Sequence, residues 1–297
     1  MNPQFKRVGI YLRERYPVVP GLIFFSLMYS NLIHLYCHSL HQPFVFSAAH
    51  FIKIVAFGFC YVLGIRLCDE FKDRATDAAV FPDRALARGA VLYSDISFLI
   101  KIVIPVLGAI WLFSPAKGLG LILFAYWFLI YKWFYAEKVL SKNLLLALLT
   151  HNPVVPLLYL YLLNLYTGRN VITLIETGAL VPVLVIWMSA LGWEVARKIR
   201  IPKDEDSYIT YSKMMGYRGA SLFLLLIGLV FGSFLLSLLH DTQLWLQATV
   251  GITLILFINR VILFILRPSH APLNLLKSTE FYFFFTQSLL LLCSLWW

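Results

Sequence analysis

Nine apolar runs dominate the chain, at roughly 18–36, 47–67, 96–113, 118–135, 144–165, 171–193, 219–239, 244–266 and 279–297. Crossing the hydrocarbon of a bilayer takes ~20 mostly apolar residues in a helix. Within lipid every backbone polar group must be satisfied internally, which leaves helices and closed barrels as the only spanning structures. Runs of this length select helices. The expected fold class is therefore all-α, a polytopic membrane bundle of about nine helices forming one domain over 1–297. The first run is long and lacks a small-residue cleavage site, so it is expected to stay as a span rather than act as a signal peptide.

Composition agrees. Charged residues make up 13% of the chain and hydrophobic ones 60%, with a mean hydropathy of +0.79. Soluble domains run nearer 25% charged. The formal charge of +10 is read as orientation signalling, since Lys and Arg collect in cytoplasmic loops. With the N-terminus inside, the outer loops keep only Lys117 and Arg169, while Lys53, Lys101 and Arg260 fall within spans. No nucleic-acid motif and no obligate protein partner is evident. Cys37, Cys60, Cys68 and Cys293 form no CxxC pair, which argues against a zinc site or a disulfide framework.

The acids are less easily explained by topology, because Asp and Glu contribute little to orientation. Nine of the 15 sit in two stretches: Asp69, Glu70, Asp73, Asp77 and Asp83, then Glu194, Asp204, Glu205 and Asp206. The nine-span topology puts both stretches on the cytoplasmic side. Asp69, Asp73 and Asp77 are spaced i, i+4, i+8, which on a helix lines them along one face. Like charges at that spacing destabilise a helix by a few tenths of a kcal/mol per pair. A hard divalent cation offsets this. Magnesium in particular takes one or two carboxylates and completes its shell with water and phosphate oxygens. The plain alternative is a solvated loop balanced by Lys72, Arg74 and neighbouring bases. In the second stretch, WEVARKIRIPKDED, Glu194 stands at the end of the sixth run, and its plain reading is an i, i+4 ion pair with Lys198.

The order of these features resembles the UbiA superfamily of intramembrane prenyltransferases. The family's first motif reads roughly NxxxDxxxD, followed by an RPLxxG-like segment. Here DEFKDRATD is followed by PDRALARG, Pro82 to Gly89. Ile65 stands where the family has Asn, and Lys198 stands where a DxxxD second motif has its second acid, as in a divergent branch. The resemblance implies magnesium-dependent transfer of a prenyl group from a prenyl diphosphate to a lipophilic acceptor, often aromatic, with release of diphosphate. It implies catalytic roles for Asp69, Asp73 and Glu194, and magnesium ligation by Asp69 and Asp73 with Asp77 assisting, and by Glu194 with Asp204 or Asp206. Arg84, Arg88, Tyr131, Lys132, Arg197 and Lys198 would bind the substrate. The site would lie on the cytoplasmic side of the membrane lipid, and both acidic stretches would serve one diphosphate.

Aromatic faces attract cations by ~0.5–2 kcal/mol, so Tyr126, Trp127, Tyr131 and Trp187 are candidate walls for an allylic carbocation. His151, in the His-Asn-Pro interruption of the fifth run, is a candidate proton acceptor; a packing histidine is its plainer role. Two other outcomes stay open. A terpene cyclase of the same fold would quench the cation internally. A cation-coupled transporter would place its ionisable groups near the bilayer midplane between repeated halves, and no internal repeat is visible. The DG…AR…G pattern of phosphatidyl-alcohol transferases is absent from DEFKDRATD.

Overall fold

The computed structural model describes residues 2–206, 208–268 and 275–289. Among them every regular element is helical. In chain order these are α1 (Pro3–Arg15), α2 (Val18–Ser39), α3 (Ala48–Lys72), α4 (Arg74–Val80), α5 (Tyr93–Leu112), α6 (Lys117–Tyr131), α7 (Glu137–Leu140), α8 (Leu144–His151), α9 (Val154–Thr167), α10 (Val171–Glu176), α11 (Leu180–Ala196), α12 (Tyr211–Leu238), α13 (Leu244–Leu266) and α14 (Leu275–Glu280).

Among the described residues, six stretches are long and apolar enough to cross a membrane: α2, α3, α5, α8 with α9 (Leu144–Thr167), α12 and α13. The chain is an integral membrane protein. Two expected spans are shorter than the sequence suggests. α6 has 15 residues, because Trp133, Phe134 and Tyr135 turn left-handed (φ 50°, 50° and 57°) instead of extending it. The sixth run is split into α10 and the 17-residue α11 around Gly178, whose φ of 85° suits glycine. The fifth breaks at Asn152–Pro153, where proline removes a backbone donor. The ninth run begins in α14 and a π-helical turn at Phe281–Phe285, and its last eight residues lie outside the described residues.

The contacts fall into two units. The first comprises the residues through Tyr29, with Val45–Glu137 and Leu160–Val171. Its core is α3 packed against α5 and α6, with α1 against α5. Without a hydrophobic drive between helices in lipid, small residues that allow close approach carry much of the packing. At Gly64 an added Cβ would lie 2.6 Å from the Trp127 ring, and the Tyr61 hydroxyl donates to the Leu123 carbonyl at 2.7 Å. Large apolar side chains such as Phe113 are left exposed, as expected of a lipid-facing surface.

The second unit comprises Ser30–Phe44, Lys138–Tyr159 and the chain from Ile172 on. Here α12 packs on α11 and α13, and α14 on α11 and α13. Gly192 faces the Phe283 ring and Gly228 the Phe257 ring, where a Cβ would lie 2.4 and 2.2 Å from ring carbons. Tyr282 stacks on Phe257 with ring centroids 4.5 Å apart and donates its hydroxyl to the Gly228 carbonyl at 3.0 Å. The start of α12 is capped by Thr210, whose hydroxyl oxygen accepts from the Lys213 N–H at 3.1 Å, and the helix changes direction at Gly216, φ 73°.

Candidate active site

The first acidic stretch lies at the end of α3. The helix stops at Lys72, Asp73 caps it with φ −98° and ψ 13°, and α4 starts at Arg74. The stripe expected on one continuous helix is therefore carried by two. The i, i+4 spacing survives the junction, since the Asp73 N–H donates to the Asp69 carbonyl and the Asp77 N–H to the Asp73 carbonyl, both at 2.8 Å.

Two of the three carboxylates are already neutralised. Asp69 pairs with Lys72 at 2.7 Å. Lys72 also lies 4.5 Å from the centroid of the Trp133 ring, in the left-handed turn after α6. Asp77 pairs closely with Arg84 and lies 3.7 Å from Arg15. The Asp73 side chain is half-buried and makes no ion pair among the described residues. Burial pushes its carboxyl up to about 6; Lys72 opposes this, and the charges of Asp69 and Asp77 add to it. A buried acid beside two others disfavours its own ionisation, and a divalent cation relieves that penalty.

Among the described residues no three His, Cys, Asp or Glu side chains come together as a ready-made metal site. Magnesium does not require one, because it takes one or two carboxylates and keeps places for water and phosphate oxygens. Asp73, with Asp69 or Asp77 beside it, fits that need by residue type and by electrostatics.

A further acid, Glu70, is not singled out by the sequence. Its side chain is 4% exposed and accepts from Arg15 Nε at 3.1 Å and from the Tyr11 hydroxyl at 3.4 Å, with Arg66 Nη2 at 3.3 Å. Arg15 and Tyr11 come from α1, whose cations the sequence shows only as part of the cytoplasmic Lys and Arg excess. The signal for this helix is Asn2-Pro3: the Asn2 side chain accepts the Gln4 N–H at 2.9 Å and proline occupies the first turn. The Arg7 guanidinium holds α1 to α5, donating from Nε and Nη2 to the buried Asp95 carboxylate at 2.6 and 2.9 Å. A cleft of about 450 Å³ is lined by Glu14, Arg15, Val80, Phe81, Pro82, Asp83 and Arg84. The Arg84 guanidinium stacks 3.7 Å from the Phe81 ring. Arg88 is engaged by Glu14, with Nη2 2.5 Å from its carboxylate, and each holds the other's ionised form. Lys132 is exposed, with its ammonium 4.9 Å from the Tyr131 ring centroid.

In the second stretch Glu194, near the end of α11, pairs with Arg197 at 2.6 Å and with Lys198 at 2.9 Å. Its i, i+4 ion pair is thus formed. Asp206 pairs instead with Arg200 at 2.7 Å, and that hydrogen bond holds its carboxyl below the usual range. Glu205 accepts from the Thr210 hydroxyl at 2.8 Å, and Asp204 is exposed.

Among the candidate aromatic walls, Trp127 is buried against Gly64, and the Trp187 indole N–H donates to the Asn152 side chain. The Nδ1 of His151 lies 2.9 Å from the Ala147 carbonyl of its own helix and 3.0 Å from the Thr150 hydroxyl.

Two solved structures share the fold over nearly their whole length. The apo structure of a UbiA homolog from Aeropyrum pernix K1 superposes with a TM-score of 0.64 at 12% identity, covering 90% of this chain and 96% of that one. The chain has the UbiA fold. A digeranylgeranylglyceryl phosphate synthase studied in membranes gives a TM-score of 0.63 at 16% identity, covering 98% and 97%. No family model and no curated protein sequence matches the chain, so the likeness is one of backbone geometry.

Proposed function

We propose that the protein is a magnesium-dependent intramembrane prenyltransferase, which transfers a prenyl group from a prenyl diphosphate to a small lipophilic acceptor and releases diphosphate. The observation that carries this reading is the end-to-end likeness to two UbiA-type structures, taken with an uncompensated carboxylate, Asp73, inside the first acidic motif.

Asp73 and Asp69 would hold magnesium, with Asp77 assisting. When bound, the metal supplies electrostatic stabilisation to the departing diphosphate. The chain's own cations add to that stabilisation. Arg84 lines the cleft, and Lys132 makes no ion pair among the described residues, so both are suited to bind phosphate oxygens. Glu194 is assigned to orienting Lys198 and Arg197 as phosphate-binding cations, since its carboxylate already carries both. The apolar spans would keep the prenyl tail and the allylic carbocation away from water. The distribution of Lys and Arg supports a cytoplasmic location for the reacting end.

Purified full-length protein incubated with magnesium and prenyl diphosphates of increasing length, with and without phenolic or lipid-alcohol acceptors, tests the proposal. Turnover that awaits an acceptor supports it. A cyclic hydrocarbon or alcohol formed without acceptor assigns the fold to cyclisation instead. No diphosphate release under any condition overturns both.

A further inference from the structure

Arg15 stands between two carboxylates and satisfies only one. Its Nε is 3.1 Å from Glu70, while its Nη2 is 3.7 Å from Asp77 and, though buried, makes no hydrogen bond. Asp77 already carries Arg84. Glu70 in turn holds Arg15, Arg66 and the Tyr11 hydroxyl. The side chains concerned are largely shielded, Arg15 being 15% exposed and Glu70 4%, so their charges are weakly screened.

We propose that Glu70 is a positioning residue that withholds Arg15 from Asp77, and that Arg15 is the internal competitor of a divalent cation at the Asp73–Asp77 rim. The proposal rests on the magnesium reading above. A guanidinium and a carboxylate at 3.7 Å attract one another without a charge-assisted hydrogen bond, and a small approach would make one. Asp77 would then carry two close guanidiniums, and its carboxylate would no longer be available to a metal ion. Glu70 prevents this by being the better partner: its Oε1 accepts from Arg15 Nε and also draws Arg66 Nη2 and the Tyr11 hydroxyl, which fix it in place. Without Glu70, the Arg15 charge is buried with Asp77 as the other carboxylate it already approaches, and a buried charge left unpaired seeks a partner.

The test measures Mn²⁺ binding to the full-length, detergent-solubilised protein by electron paramagnetic resonance, without substrate, so that turnover plays no part. Arg15→Gln is expected to bind Mn²⁺ about 3- to 10-fold more tightly, as removal of a nearby cation requires. Glu70→Gln is expected to bind it more weakly by a similar factor. The double variant is expected to bind as tightly as Arg15→Gln, within about twofold, because Glu70 acts through Arg15. A double variant that falls back to the parent's affinity means that Glu70 acts independently of Arg15 and overturns its positioning role. If Glu70→Gln fails to fold, Arg15→Gln decides alone, because misfolding does not create tighter binding. Unchanged or weaker binding by Arg15→Gln overturns the proposal. Absence of Mn²⁺ binding by the parent protein overturns the metal reading itself, and this inference with it.

Discussion

Lys72 pairs with Asp69 at 2.7 Å, and Asp73, the next residue along the chain, is left without an ion-pair partner among the described residues. The first acidic motif thus contains three compensated carboxylates, Asp69, Glu70 and Asp77, and one that is not, and the exception sits at the junction between α3 and α4. This asymmetry sets the predictions for the site.

Stability should depend on the charge of Asp73. Its folded-state carboxyl is raised to about 6, while an unfolded aspartate titrates near ~3.9. Between these values the folded state binds more protons than the unfolded one, so this group's contribution to stability falls as pH rises through that window. Without divalent cations, the melting temperature of the parent should fall relative to Asp73→Asn between about pH 4 and pH 6, and Asp73→Asn should be the more stable protein at pH 7. Magnesium should narrow that gap at pH 7. Differential scanning fluorimetry of both proteins across this range makes the comparison.

The second acidic stretch should divide sharply. Glu194 holds two cations, whereas Asp206 is spent on Arg200 and Asp204 is exposed. Glu194→Ala is expected to lower kcat/KM by about 10²-fold, the scale of a lost electrostatic contributor. Asp204→Ala and Asp206→Ala are each expected to stay within about threefold, as for surface ion pairs. Steady-state rates of diphosphate release for the three variants check this.

Packing of the second unit should depend on small residues at defined places. A Cβ at Gly228 would lie 2.2 Å from the Phe257 ring, whereas at Gly251 it would meet nothing within 4 Å. Gly228→Ala is expected to destabilise by about 1–3 kcal/mol through overpacking, and Gly251→Ala to be near neutral or slightly stabilising. Thermal denaturation of both variants in one detergent measures the contrast.

Much of the fold is legible in the sequence. The apolar runs mark α2, α3, α5, α12 and α13 because twenty apolar residues have few alternatives. Pro153 marks the break between α8 and α9. The ends of elements are harder. The sequence extends span four through Trp133, Phe134 and Tyr135, whose aromatic character looks helical in hydropathy while their backbone turns left-handed. Hydropathy places the seventh span from 219, yet α12 starts at Tyr211 with Gly216 as its bend. Helix α1 reads as topology signalling because Lys6, Arg7, Arg13 and Arg15 are basic, and their count hides that Arg7 and Arg15 are pledged to Asp95 and Glu70. Spacing alone finds the acids of the first motif. Which of them is free to act depends on partners distant in sequence, such as Arg15 and Arg84, and spacing does not encode those.

The central claim is that the Asp73 rim ionises a prenyl diphosphate with the help of magnesium. The most direct measurement is diphosphate release from a prenyl diphosphate by purified parent protein and by Asp73→Asn, each titrated with magnesium. The account predicts release by the parent that rises with magnesium and vanishes on chelation, and a loss of at least about 10²-fold in Asp73→Asn despite its equal or greater thermal stability. Release by Asp73→Asn at the parent's rate and magnesium dependence would contradict it.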